Sequence, residues 1–143
     1  HYFGSKGDIF LAAMRHILSR YGEGVRAALK AAPDPQERLR AIVDESLAGG
    51  NFDLAAMSAW LNFYALAPTD PQAARLLRVY HRRLRSNLVH ALRPLVGKGR
   101  ALAQADRLAA LIDGAYLRAV LDPDMPPDRA RALLMDEVRR ITG

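Results

Sequence analysis

The chain has 143 residues, half of them hydrophobic and a quarter charged, the composition of one globular domain with a sizeable core. It contains no cysteine, which excludes disulfides, thiolate metal sites and a cysteine nucleophile. The net charge of +6 is local: residues 68–100 carry Arg75, Arg78, Arg82, Arg83, Arg85, Arg93, Lys98 and Arg100 against Asp70 alone. Such a concentration excludes a nucleic-acid-binding coat over the whole domain. No apolar run approaches the roughly 18 residues of a membrane span and no signal peptide opens the chain, so a cytoplasmic protein with no membrane partner is expected. The sequence begins at His1, inside a motif and without an initiator Met, as expected of a piece of a longer chain.

In chain order, Ser5 with Asp8 three residues later reads as a helix start, and a helix is predicted over about Lys6–Ala32. Ile9, Phe10, Ala13, Ile17, Leu18, Tyr21, Val25 and Leu29 carry its apolar period, while Gly22 and Gly24 mark a possible bend. Pro33-Asp34-Pro35 stops it. A second helix over 36–48 turns Leu39, Ile42, Val43 and Leu47 inward and closes at Gly49-Gly50-Asn51, after which Asp53 can cap the next.

That third helix, Leu54–Ala67, holds the only Trp, Trp60, with Phe63 and Tyr64 one turn on. Its polar residues, Ser58 and Asn62, share one narrow stripe, so the expectation is a helix surrounded by others. Pro68-Thr69-Asp70-Pro71 ends it. A fourth helix, Pro71–Leu92, faces Leu77, Tyr80, Leu84 and Leu88 inward. On another face lie Arg75, Arg78, Arg82 and Arg85, read chiefly as solvated, with some pairing to neighbouring acidic groups. Pro94 and Gly97-Lys98-Gly99 are expected to break it. Ala101–Leu121 follows, with Leu102, Leu108, Ile112 and Tyr116 on its stripe, and a last helix from Pro127 presents Ala130, Leu133, Leu134, Val138 and Ile141. No segment alternates with period two, so the predicted fold is all-α, six helices.

Ala110 and Gly114 sit four apart and permit close backbone approach, and two long apolar stripes at the end of the chain exceed the needs of a small core. Leu108, Ala110, Leu111, Gly114, Leu133, Leu134, Val138 and Ile141 are therefore expected to form a homodimer through a four-helix bundle. The competing reading is that both stripes pack within one subunit.

Catalytic signals are weak. His1, His16, His81 and His90 lack metal-ligand spacing, no Ser sits in a GxSxG elbow, and no strand precedes a Gly-rich loop. Neither an enzyme nor a cofactor or metal is expected. The rings of Trp60, Phe63 and Tyr64 read either as core packing or as the lining of a cavity inside a helical bundle. Asp113, within an apolar stretch, would be costly if buried and unpaired, so it either pairs with an arginine, Arg83 or Arg118, or faces water.

The opening HYFGSKGDIFLAAM resembles the junction between recognition helix and first core helix in TetR-family transcriptional repressors. Four ordered blocks, GNF at 50–52, AMSAWLNF at 56–63, RRLRSNLV at 82–89 and AALIDGAYLRA at 109–119, resemble the betaine-pathway branch of that family. The resemblance implies that residues 1–6 end a DNA-reading head and residues 7–143 form an effector-binding and dimerisation domain of a repressor. It implies a choline-like effector, together with operator DNA bound through an N-terminal head and phosphate contacts from Tyr2 and Lys6. For the effector's cationic end, which lacks hydrogen-bond donors, the resemblance makes Trp60, Phe63, Tyr64, Tyr80 and Tyr116 candidate walls of an aromatic cage and Asp113 a counter-charge. The alternatives are a TetR-family sensor for another small apolar or cationic ligand, or a ligand-binding bundle with no DNA role.

Overall fold

The computed structural model describes residues 4–143, with side chains from residue 7 onward. Six α-helices follow one another: α1 (Gly4–Ala31), α2 (Pro35–Ser46), α3 (Leu54–Leu66), α4 (Pro71–Val96), α5 (Lys98–Leu121) and α6 (Pro127–Thr142). A single 3-10 turn, Gly49–Phe52, leads into α3. No strand occurs among the described residues, as the absence of period-two alternation predicts. The expected contributions of Tyr2 and of the Ser5 and Lys6 side chains lie outside the described residues.

Aspartates start three helices. Asp34 accepts from the Glu37 N–H at 2.9 Å, Asp53 from Ala56 at 3.1 Å, and the buried Asp70 from Gln72 at 2.8 Å and Ala73 at 3.3 Å. Each satisfies N–H groups that the first turn leaves without partners. Helices α2 and α4 also have Pro at their first position, where its missing N–H costs nothing.

The centre of the fold is α2, not the aromatic helix. It touches α1, α4, α5 and α6, and Leu39, Ile42, Val43 and Leu47 are wholly buried. Helix α3 lies at the periphery against α1, the 3-10 turn and α4. The expectation that it is surrounded is thereby corrected: only Trp60 and Phe63 are buried, while Leu54 is 80 % exposed and Ser58, Asn62 and Ala65 face solvent. Alanine explains the misreading. It raises the apolar count of the segment but has too little side chain to demand burial.

Three smaller differences have equally local causes. In α1 Val25 is buried and Phe10, Ile17, Leu18, Tyr21 and Leu29 pack against the core as expected, while Ile9, at 69 % exposure, and Ala13 turn out and Leu11 and Met14 are buried in their place. Pro94 does not end α4, which runs to Val96. The backbone carbonyl left without a donor belongs to His90, and both residues are exposed, so water replaces the lost bond. The joint falls at Gly97, whose φ of 85° favours glycine, and α5 starts at once with Lys98. Among the arginines of α4, Arg85 pairs with Asp106 of α5 at 2.7 Å.

The expected dimer seam divides in two. Leu108, Leu134, Val138 and Ile141 are at most 5 % exposed and belong to the subunit's own core, where α6 packs on α5 and α2. Their expected place on a partner-facing surface is corrected accordingly: one face of each terminal helix is used internally. Ala110, Leu111, Gly114 and Leu133 point outward, with Leu111 43 % and Leu133 50 % exposed.

Candidate functional site

Five helices and the 3-10 turn converge on a cavity of about 300 Å³, counting its mouth, lined by Tyr21, Ser46, Asn51, Trp60, Tyr64, Tyr80, Ile112, Asp113 and Tyr116. Only about 20 Å³ of that is clear of the walls, room for about one water molecule, so a larger guest must move side chains to enter. Trp60 is its hub. Its ring stacks on Tyr64 at a centroid distance of 5.8 Å and 29°, and meets Tyr80 at 5.2 Å and Tyr116 at 6.2 Å, both edge-on at 62°. Tyr21 adds a further wall 5.9 Å from Tyr80.

One carboxylate enters this ring of aromatics. Asp113 Oδ1 accepts from the Tyr64 hydroxyl at 3.3 Å and the Tyr80 hydroxyl at 3.4 Å, and Oδ2 lies 3.3 Å from His81 Nε2. The arginines considered for Asp113, Arg83 and Arg118, are not its recorded partners; two phenols and an imidazole are. At the other side, the Tyr116 hydroxyl donates to the Asn51 carbonyl at 2.7 Å, and Tyr21 and Ser46 share a hydrogen bond of 2.6 Å.

Burial governs the acidity of the four phenols. It pushes Tyr21 up to about 12, with the Ser46 hydrogen bond opposing the shift, and it holds Tyr64, Tyr80 and Tyr116 well above the ordinary tyrosine value. The Asp113 charge adds to the effect at Tyr64 and Tyr80. All four therefore keep their protons near neutrality and present dipoles, not anions.

Of the six residues proposed from sequence, Trp60, Tyr64, Tyr80, Asp113 and Tyr116 line the cavity. Phe63 does not: it is fully buried behind Trp60, 6.0 Å from that ring, and supports the wall without forming it. Tyr21, Ser46, Asn51 and Ile112 were missed. Ser46 did carry a signal, because it is a polar residue in step with Leu39, Ile42 and Val43 on the inward stripe of α2. Asn51 looked like helix punctuation, yet its side-chain amide ties the turn to the Glu45 and Ser46 carbonyls at 3.0 and 3.3 Å.

A larger groove between α1 and α4 shares Tyr21 and Tyr80 with the cage, but Arg15, Arg26 and Arg83 line it. Three guanidiniums repel a cation. The faces of aromatic rings and the Asp113 carboxylate attract one. The described residues hold no cluster of three or more His, Cys, Asp or Glu suited to a metal, and no helix among them is long and apolar enough to cross a membrane.

Comparison with known proteins agrees with this architecture. Residues 35–143 match the family described as BetI-type transcriptional repressor, C-terminal. The chain is 43 % identical over 137 residues to the HTH-type transcriptional regulator BetI of Brucella suis, covering 96 % of this chain and 69 % of that protein. Its fold is similar to that of a putative transcriptional regulator from Saccharomonospora viridis in complex with choline, at a TM-score of 0.83 and 25 % identity over 96 % of this chain and 75 % of that one. A TetR transcription regulator from Haloarcula marismortui shares the fold at a TM-score of 0.84 and 23 % identity, covering 99 % and 82 % of the two chains. These relatives regulate transcription and are not enzymes. A six-helix chain that matches the family over three quarters of its length and a curated member at this identity is assigned without ambiguity: it belongs to the BetI-type transcriptional repressors of the TetR family, as their C-terminal domain.

Proposed function

We propose that this domain senses a choline-like quaternary ammonium ion in the Trp60 cage and, as a homodimer in the cytoplasm, transmits its presence to the DNA-reading helices of a repressor of glycine betaine biosynthesis. The observation that carries the reading is the Asp113 carboxylate set among Trp60, Tyr64 and Tyr80. A quaternary ammonium has no N–H to donate, so ring faces and one counter-charge are the groups that suit it; each ring contributes about 0.5 to 2 kcal/mol. The choline bound by the Saccharomonospora viridis regulator, a structural relative, supports the same class of ligand.

Transmission rests on α1. It supplies Tyr21 to the cage and runs back to Gly4, toward the helices that read DNA in this family. A ligand that binds one placement of Tyr21 better than another shifts α1 by that difference in affinity, typically about 1–3 kcal/mol in coupled systems. Half-sites in such dimers lie about 34–36 Å apart, so a small change in the separation of the two heads weakens simultaneous docking. Tyr2 and Lys6 are proposed to contact phosphates there, which position a protein without reading sequence. Leu111, Gly114 and Leu133, outward on α5 and α6, are proposed as the dimer surface.

The direct test is titration calorimetry of choline against the chain and against Trp60→Ala. Micromolar to millimolar binding that is lost in the variant is expected. Heat of binding that ignores the loss of Trp60, or none with the unsubstituted chain, removes the choline reading and leaves a TetR-family sensor of another ligand.

A further inference from the structure

The hydrogen bonds of the cage can be followed proton by proton. Ser46 has one hydroxyl proton, and Oγ donates it to the Ile42 carbonyl at 2.8 Å. The 2.6 Å contact between Ser46 and Tyr21 must therefore take its proton from Tyr21. Tyr64 and Tyr80 donate theirs to Asp113, and Tyr116 donates to the Asn51 carbonyl. The Asn51 amide has its two protons on the Glu45 and Ser46 carbonyls. Every hydroxyl and amide proton of the lining side chains is thus held by a protein acceptor. What these groups have left to offer a ligand is lone pairs.

We infer that the cage hydroxyls form an acceptor-only lining that selects, among small onium ions, those bearing a hydrogen-bond donor and rejects those bearing a carboxylate, and that Ser46 enforces this by fixing the Tyr21 proton. This rests on the quaternary-ammonium reading above and adds the chemistry of the ligand's other end. A carboxylate brought into the cavity meets hydroxyl lone pairs and the Asp113 charge, and among the lining side chains the Trp60 indole N–H is the one donor left for it. To receive it at the hydroxyls, Tyr21 or Tyr116 must turn its proton inward and break a short bond to its protein acceptor. A ligand hydroxyl needs no such change, because it donates to an oxygen already facing it. Tyr21 is the specificity residue in this scheme. Ser46 is a positioning residue, acting through Tyr21 and not by touching the ligand.

The test is the affinity of three probes sharing a methylated ammonium: choline, which adds a hydroxyl, tetramethylammonium, which adds nothing, and glycine betaine, which adds a carboxylate. With the unsubstituted chain, choline is expected to bind several-fold more tightly than tetramethylammonium and on the order of a hundredfold more tightly than glycine betaine. In Ser46→Ala the Tyr21 proton is released, and the penalty on glycine betaine relative to choline should shrink about tenfold. In Tyr21→Phe the ratio of choline to tetramethylammonium affinity should fall toward one, and this variant carries the test if Ser46→Ala fails to fold. Glycine betaine bound within about threefold of choline by the unsubstituted chain overturns the inference, as do ratios unmoved by both substitutions. Failure of the unsubstituted chain to bind either choline or tetramethylammonium overturns the underlying reading instead, a result distinct from the first.

Discussion

Tyr80 presents its ring to Trp60 edge-on, with centroids 5.2 Å apart and planes at 62°. The contact joins α3 to α4 through the favoured T-shaped geometry of two aromatic quadrupoles. Because α3 buries little besides Trp60 and Phe63, this pair is a principal tie holding that helix to the domain.

Removing the ring should therefore be costly to the fold as well as to binding. Trp60→Ala is expected to lower unfolding free energy by about 3–5 kcal/mol, and Trp60→Phe by clearly less. Urea denaturation followed by circular dichroism measures both. Equal losses in the two variants would contradict the role assigned to the ring.

Asp113→Asn keeps the shape of the side chain and an acceptor for Tyr64 and Tyr80 while removing the charge. Choline affinity should drop at least about tenfold, or 1.4 kcal/mol. The helical signal should persist. Unchanged affinity would show that ring faces alone hold the cation.

The buried phenols set an alkaline limit on stability. Tyr21 has a folded-state value of about 12 against 10.0 unfolded, so the folded protein holds this proton more tightly. The contribution is complete below pH 10 and is lost as pH rises from about 10 to 12, because the unfolded chain releases its proton first. Tyr64, Tyr80 and Tyr116 act in the same direction. Urea midpoints should fall across that window, and Tyr21→Phe should flatten the fall. A stability rising with pH there would reverse the sign and refute the assignment.

The terminal helices should separate by face. Leu111→Glu together with Leu133→Glu places charges on the outward stripe and is expected to yield monomers at micromolar concentration with helix content retained. Leu108→Ala or Leu134→Ala strikes the subunit's own core and should cost about 2–5 kcal/mol of stability. Analytical ultracentrifugation beside thermal melts distinguishes the two classes. Dimers that survive both charges would move the interface elsewhere.

Helix order was legible because its punctuation is chemical: Pro33 to Pro35, Pro68 to Pro71 and the run around Pro126 leave little freedom. The cage was legible in part, since large aromatics near a lone Asp113 are an unusual set. Tyr21 escaped because it merged with the apolar period of α1, and Phe63 was included because ring type does not reveal which side of Trp60 it occupies. The central position of α2 was hidden by length: twelve residues with three wholly buried apolar side chains attract less notice than thirteen rich in alanine and aromatics. Burial depends on what surrounds a helix, and that is a property of the assembled chain.

The bend at Gly97 also bears on the order in which the molecule is built. One residue turns α4 back along α5, so the two helices pair between near neighbours in sequence and need little loop closure. The cage draws its walls from Tyr21 to Tyr116 and is complete only when α1 to α5 are all in place. Assembly should then proceed from the hairpin outward, with the sensor cavity formed last and opened first. Hydrogen exchange will be slowest along α4 and α5 and fastest on α3, and a bound ligand will protect the side of the domain with the least protection of its own.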